Sequence, residues 1–316
     1  MNCIDQFKTD SAALYCVDSV EAVKDLPDNS IHYSMYSPPF AQLYSYSNSE
    51  RDMGNGKDDK EFFEHFRFLV GEMLRATVPG RLHSFHCMDL THSKERDGFI
   101  GIKDFPGDLI RAFQEKGWIL HSKVVIWKNP LNAAVRTKAL GLLHKQVCKD
   151  SAMVRQGIPD YLITMRKPGE NPERIARKRG FERYIGGEPE PQEIKTDNHQ
   201  TNKYSHLVWQ RYASPVWMDI CATETLQAIA EEDDARHICP LQLQVIERGI
   251  ELWSNPGDVI FDPFAGIGST GYQAIKQGRR FVGFELKKAY FDVAVKNLKN
   301  ADAESREVTL LDGLDA

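Results

Sequence analysis

The chain has 316 residues, is 41% hydrophobic and 27% charged, and carries a formal net charge of −5. That size suits one large α/β domain with an insertion, and the acidic total argues against a wholly basic nucleic-acid binder, although the distribution of charge matters more than its sum. No apolar run approaches the roughly 20 residues that span a bilayer, and Met1-Asn2-Cys3-Ile4-Asp5-Gln6 lacks the regions of a secretory signal, so a cytoplasmic protein is expected.

Ala12 to Val17 reads as a strand ending at Asp18-Ser19, followed by a short helix from Val20 to Leu26. Ile31 to Tyr36, rich in β-formers, is a second strand. It must stop at Ser37-Pro38-Pro39-Phe40, because proline cannot donate to a ladder. Ala41 to Lys60 is polar, aromatic and glycine-containing, the composition of a mobile loop. Phe62, Phe63, Phe66, Leu69, Val70, Met73 and Leu74 recur at helical spacing. Arg81 to Cys87 is predicted as a strand, Phe105 to Lys116 as a helix, and Trp118 to Trp127 as one or two strands. This alternation predicts a mostly parallel, doubly wound sheet.

From about Asn129 to Arg236 the alternation fades, and the segment reads as an inserted module. It holds a basic stretch with Arg155, Arg174, Arg177, Lys178, Arg179 and Arg183, then an aromatic-rich stretch from Tyr204 to Trp217 that includes Trp209 and Arg211. Glu231-Glu232-Asp233-Asp234 is expected to be solvated. Order returns with a helix from Leu241 to Trp253, a strand at Val259-Ile260-Phe261, a helix opening at Ser269, a strand from Phe281 to Phe284 and a helix from Ala289 to Leu298. The acidic tail after Asn300 is expected to be poorly ordered. The predicted division is therefore 1–128, 129–235, 236–300 and a tail of 301–316.

The six cysteines are widely spaced and form no C-x-x-C pair, which points to reduced thiols rather than a metal site or disulfide frame. His83, His86 and His92 match no usual metal spacing and read as structural histidines.

Gly266, Gly268 and Gly271 fit G-x-G-x-x-G between a strand and a helix, with Glu285 at the end of the next strand. Glycines permit the turn and close ligand approach, and a carboxylate accepts from ribose hydroxyls. Alone, this pattern is equally compatible with a dinucleotide and leaves an NAD-dependent oxidoreductase open. The preceding Asp262-Pro263-Phe264 favours S-adenosylmethionine, because a carboxylate at the strand end suits a cationic amino-acid group, whereas a pyrophosphate suits a bare helix N-terminus. In Ser37-Pro38-Pro39-Phe40, the Ser37 hydroxyl and the Pro38 carbonyl are two rigidly held acceptors. Aimed at the hydrogens of an exocyclic base amine, they would pull its delocalised lone pair into a nucleophilic shape, which is electrostatic preorganisation. Phe40 offers a ring for base stacking.

Together these segments resemble those of the N4-cytosine and N6-adenine DNA amino-methyltransferases. Ser37-Pro38-Pro39-Phe40 is similar to the family's catalytic motif, and Asp262-Pro263-Phe264-Ala265-Gly266-Ile267-Gly268 to its cofactor motif, which runs into Ser269 and Thr270. Their order is that of the permuted beta class, with the recognition insert between the halves. The resemblance implies a Rossmann-like S-adenosylmethionine-dependent fold, a double-stranded DNA substrate whose target base is flipped, and a possible homodimer. It also implies that His237-Ile238-Cys239-Pro240 with the following helix packs over the methionine part of the cofactor, that Asp18 lies on its adenine side, and that Glu285 holds its ribose. Serine at the first catalytic position implies N4-cytosine over N6-adenine. A 5-methylcytosine enzyme is disfavoured, since Cys239 precedes Pro240 rather than following a proline. The basic stretch is then expected to track phosphates, and the aromatic cluster either to stack on DNA or to pack in a core. A non-catalytic DNA-binding regulator is the remaining alternative.

Overall fold

The computed structural model describes residues 3–40, 59–92, 94–137, 139–198, 200–226 and 240–312. The strands are β1 (Asp5–Lys8), β2 (Ala12–Cys16), β3 (Ile31–Tyr36), β4 (Thr77–Met88), β5 (Leu90–His92), β6 (Gly101–Lys103), β7 (Ile119–Ile126), β8 (Asp160–Arg166), β9 (Val216–Trp217), β10 (Val259–Asp262) and β11 (Arg280–Glu285). The α-helices are α1 (Ser19–Ala22), α2 (Asp59–Ala76), α3 (Lys94–Asp97), α4 (Phe105–Glu115), α5 (Pro130–Thr137), α6 (His144–Val147), α7 (Lys203–Tyr212), α8 (Leu243–Trp253), α9 (Ser269–Lys276) and α10 (Lys288–Asp312).

Among the described residues, nine strands form one sheet in the order β1-β2-β11-β10-β3-β4-β8-β7-β9. From β2 to β4 every pairing is parallel, while β1, and β8 against both its neighbours, run antiparallel. Alternate side chains feed two cores. Tyr36, Phe85 and Phe261 point with Phe62, Phe66, Leu109 and Phe113 of α2 and α4 into one. Tyr33, Ile260 and Phe281 point with Val245, Ile250, Ala274 and Leu298 of α8, α9 and α10 into the other. Both faces of the sheet are thus covered, as a parallel sheet requires, and the expected α/β architecture holds.

Several sequence expectations need revision. The segment 129–235 is not wholly an inserted module, because Asp160–Arg166 enters the main sheet between β4 and β7. Tyr161-Leu162-Ile163-Thr164-Met165 is an apolar run with three β-formers, Tyr161, Ile163 and Thr164, whose signal is obscured by the basic residues that follow. The tail does not lose order at Asn300. α10 continues to Asp312 because Ala301 is buried, Asp302 accepts from Ser11, and Glu304 meets Lys276 at 3.0 Å. Residues 41–58, expected as a mobile loop, and Glu231 to Asp234 lie outside the described residues. No described helix is long and apolar enough to cross a membrane.

Candidate active site

Because β3 and β10 are parallel neighbours, with Tyr33 opposite Ile260 and Ser34 opposite Phe261, their C-terminal ends open on the same sheet edge. The chain leaves β3 through Ser37-Pro38-Pro39-Phe40 and β10 through Asp262-Pro263-Phe264. The two corners touch: the Tyr36 and Phe264 rings lie 5.7 Å apart. Ser19, the first residue of α1, donates to the Pro263 carbonyl, and Thr270 of α9 donates to the Met35 carbonyl at 3.0 Å. Segments separated by more than two hundred residues in sequence thus share one edge.

On the glycine side, Gly266 and Gly268 have φ of 53° and 85°, and Gly268 caps α9. A Cβ at Gly271 would meet Leu298 and Phe281 side-chain atoms at 2.6 Å, so the third glycine allows α9 to pack closely on β11 and α10. Glu285 binds this turn from the neighbouring strand. One carboxylate oxygen accepts from Gly266 N–H at 2.8 Å and the other from Lys287 N–H at 2.8 Å. Asp262 is fully enclosed, and burial pushes its pKa up to about 7, although a hydrogen bond from Phe264 N–H acts in the opposite direction. A buried carboxyl in this state gains by meeting a cation. Asp18 caps α1 by accepting from Val20 N–H at 2.9 Å. Pro240 is half-buried just before α8. His237 lies outside the described residues.

On the proline side, Ser37 Oγ lies 3.2 Å from His86 Nδ1. His86 Nε2 lies 3.1 Å from Asp160 Oδ2, and Lys128 Nζ lies 2.5 Å from Asp160 Oδ1. Asp160 is only 1% exposed, and burial alone would raise its pKa, yet His86 and Lys128 together hold it below the usual carboxylate range. His86 thus lies between Ser37 of the proline corner and the buried Asp160. His83 matches its reading as a structural histidine: it is buried between Phe113 and Trp118, bonds the Tyr36 hydroxyl at 2.8 Å, and burial pushes its pKa down to about 3. Phe40 departs from expectation. It is 5% exposed and packs into the aromatic cluster 6.3 Å from Phe105, because α2 and α4 line this side with phenylalanine.

The predicted DNA-contact residues divide. Arg177 pairs with Glu251 at 2.8 Å and Arg183 with Glu247 at 2.5 Å, both on α8. The Arg174 carbonyl accepts from Asn255, which precedes β10 and so marks the sheet edge opposite Ser37. Lys178 and Arg179 are exposed. Trp209 is half-exposed and stacks on Phe181, while Arg211 lies over the Tyr184 ring at 4.4 Å. Trp217 and Tyr212 are core residues. A second basic region became apparent only with the fold. Residues 127–159 leave β7 at Ile126 and re-enter the sheet at Asp160, which lies opposite both Ile126 and Met88, so the connection rises from the Ser37 edge. It holds six lysines and arginines against one aspartate. Lys145 and Lys149 are exposed there, and Arg155 is half-buried. Among the described residues no cluster of His, Cys, Asp and Glu could hold a metal ion.

The DNA methylase profile of the N6/N4 type matches residues 31–296, a span that contains both corners and the sheet between them. The chain belongs to the N6/N4 DNA methylase family. The orphan methyltransferase M.BamHII of Bacillus amyloliquefaciens is 26% identical over 284 residues, covering 88% of this chain and 92% of the relative. A Thermus thermophilus protein described as a DNA modification methylase, solved with S-adenosyl-L-methionine, superposes with a TM-score of 0.63 at 20% identity over 91% of this chain and 93% of its own. The PvuII DNA methyltransferase, cytosine-N4-specific, gives a TM-score of 0.59 at 16% identity, with 96% of both chains covered. These structures share the fold with this member of the methylase family.

Proposed function

We propose that this DNA methylase moves a methyl group from S-adenosyl-L-methionine to the N4 amine of a cytosine flipped out of duplex DNA. The observation that carries the reading is the contact of the two corners at one sheet edge, through Tyr36 and Phe264 and through Thr270 and Met35. Bound at the glycine turn, the cofactor supplies an electrophilic methyl on a sulfonium. Asp262 receives its ammonium, Glu285 accepts from its ribose hydroxyls while holding the Gly266 turn, and Asp18 borders its adenine. Ser37 Oγ and the Pro38 carbonyl accept the amine hydrogens of the base. Holding nucleophile and electrophile together supplies much of the rate, with no covalent enzyme intermediate. Serine, whose hydroxyl offers one acceptor where adenine enzymes of the family usually place Asp or Asn, supports cytosine over adenine.

DNA approaches, in this reading, over the edge bearing residues 127–159, whose positive excess stands out on an acidic chain. Arg155, Lys178, Arg179 and Trp209 remain available for contact at or beyond it, whereas Arg177, Arg183 and Arg211 already have carboxylate partners. The remainder of 129–235 outside β8 is proposed to supply target recognition. The test is direct: incubate the protein with labelled cofactor and varied duplexes, digest to nucleosides, and identify the product by mass spectrometry. N4-methylcytosine is expected. N6-methyladenine would replace the base assignment, and no methylated nucleoside on any duplex would overturn the reading.

A further inference from the structure

We propose that His86, held by Asp160 and Lys128, sets the direction of the Ser37 hydroxyl and takes up its proton after methyl transfer. The proposal rests on the methyl-transfer reading above. Its geometry is a single file of polar groups from separate parts of the chain: Ser37 Oγ to His86 Nδ1 at 3.2 Å, His86 Nε2 to Asp160 Oδ2 at 3.1 Å, and Asp160 Oδ1 to Lys128 Nζ at 2.5 Å. These groups come from the end of β3, from β4, from the start of β8 and from the residue pair after β7. His86 is 7% exposed and Asp160 1% exposed, so water competes little for these contacts.

The direction follows from charge. With Lys128 Nζ 2.5 Å from its other oxygen, Asp160 stays ionised against the cost of its burial. An ionised carboxylate beside Nε2 favours the tautomer with the proton on Nε2, which leaves a lone pair on Nδ1. Ser37 then donates its only hydrogen to Nδ1, and both Ser37 Oγ lone pairs remain free for the base amine. Without His86, the hydroxyl hydrogen is free to point at the amine nitrogen and compete for the lone pair that must attack.

The same file provides a destination for the surplus proton. As the amine nitrogen bonds to the methyl carbon, the donor's carbon–sulfur bond leaves its electron pair on sulfur, and the nitrogen becomes positively charged. The nitrogen then loses a proton to Ser37 Oγ while Ser37 passes its own proton to His86 Nδ1. The products are a neutral methylated amine, a neutral serine and an imidazolium facing Asp160. Solvent removes the imidazolium proton. His86 acts through Ser37 and is a positioning residue.

A double-mutant cycle on single-turnover methyl transfer tests this, with cofactor affinity and melting temperature measured alongside. His86→Ala alone is expected to slow transfer by about 10²-fold, the usual scale of acid–base assistance, with cofactor affinity unchanged. In a Ser37→Ala background, adding His86→Ala should cost almost nothing more, because the two act as one unit. His86→Asn, whose amide oxygen keeps an acceptor for Ser37, should recover part of the rate and serves if the alanine variant folds poorly. Long-range nitrogen–proton NMR on nitrogen-labelled wild-type protein should show the Nε2–H tautomer of His86. Losses that multiply in the double variant, or an Nδ1–H tautomer, overturn the proposal while leaving the methyltransferase reading intact. A wild-type chain that methylates no duplex removes both.

Discussion

Thr270 donates its hydroxyl to the main-chain carbonyl of Met35 across 3.0 Å in the protein interior. Met35 lies two residues before Ser37, and Thr270 is the second residue of the helix that follows the glycine turn. This bond joins the part of the chain bearing the glycine turn to the part bearing Ser37. Thr270→Val keeps the shape and removes the donor. It should lower unfolding free energy by about 0.5–1.5 kcal/mol, the net worth of one such bond. Single-turnover rate should fall further than cofactor affinity, since the relative placement of the corners is what loosens. Urea denaturation and rapid-quench assays measure the two effects.

Asp262 should make cofactor binding pH-dependent. Burial raises its pKa from 3.8 to about 7 in the free protein, and an ammonium favours the ionised form. Affinity should therefore rise with pH through about 7, by up to tenfold per unit below it, with a proton released on binding in that range. Titration calorimetry in buffers of different ionisation heat detects that proton. Asp262→Asn should bind weakly and show no such slope. The free protein should show the opposite trend in stability. Because the folded pKa lies above the unfolded one, the contribution of Asp262 is complete below pH 3.8 and is lost as pH rises through about 7.

The motifs at Ser37 and Asp262 were legible because proline and glycine impose backbone constraints readable one residue at a time. The order of the halves was legible for the same reason. What escaped depended on tertiary neighbours. β8 was obscured because its three β-formers sit beside a basic stretch, and β1, with Phe7 as its only apolar residue, is an edge strand that forms only against β2. The contacts of His86 were invisible because its neighbours Ser37 and Asp160 lie 49 and 74 positions away. Arg177 and Arg183 look free in sequence, where Glu251 and Glu247 cannot be seen to face them. Phe40 reads as open to a base because nothing local shows that α2 and α4 enclose it.

Charge reversal should separate the two basic regions. Lys145→Glu with Lys149→Glu, on the connection that rises from the Ser37 edge, should weaken duplex binding and flatten its dependence on salt. The slope of log affinity against log salt should shrink by about 2, near one for each phosphate that is no longer neutralised. Arg183→Gln should leave both quantities nearly unchanged, since Glu247 already neutralises that guanidinium. Fluorescence anisotropy over a salt series measures the slopes. If Arg183→Gln flattens the slope and the lysine variants do not, DNA runs along the α8 face instead.

Arg248 secures the segment around residues 181–219 to the cofactor half, and its loss should be costly. Its side chain is fully buried, lies over the rings of Tyr212 at 4.5 Å and Trp217 at 4.6 Å, and bonds both Asp219 oxygens at 3.1 and 2.8 Å. Arg248 Nη2 and Nε also donate to the Ile185 carbonyl. Burial alone would raise the Asp219 pKa, but Arg248 and Tyr184 hold it below the ordinary value. Arg248→Met should therefore cost about 3–5 kcal/mol, because it leaves a buried carboxylate without its counter-charge. Arg248→Met combined with Asp219→Leu removes both charges and should be more stable than Arg248→Met alone. Denaturant titration of the single and double variants checks the pair. A double variant no more stable than Arg248→Met would locate the cost in the missing ring packing and carbonyl bonds rather than in the stranded charge.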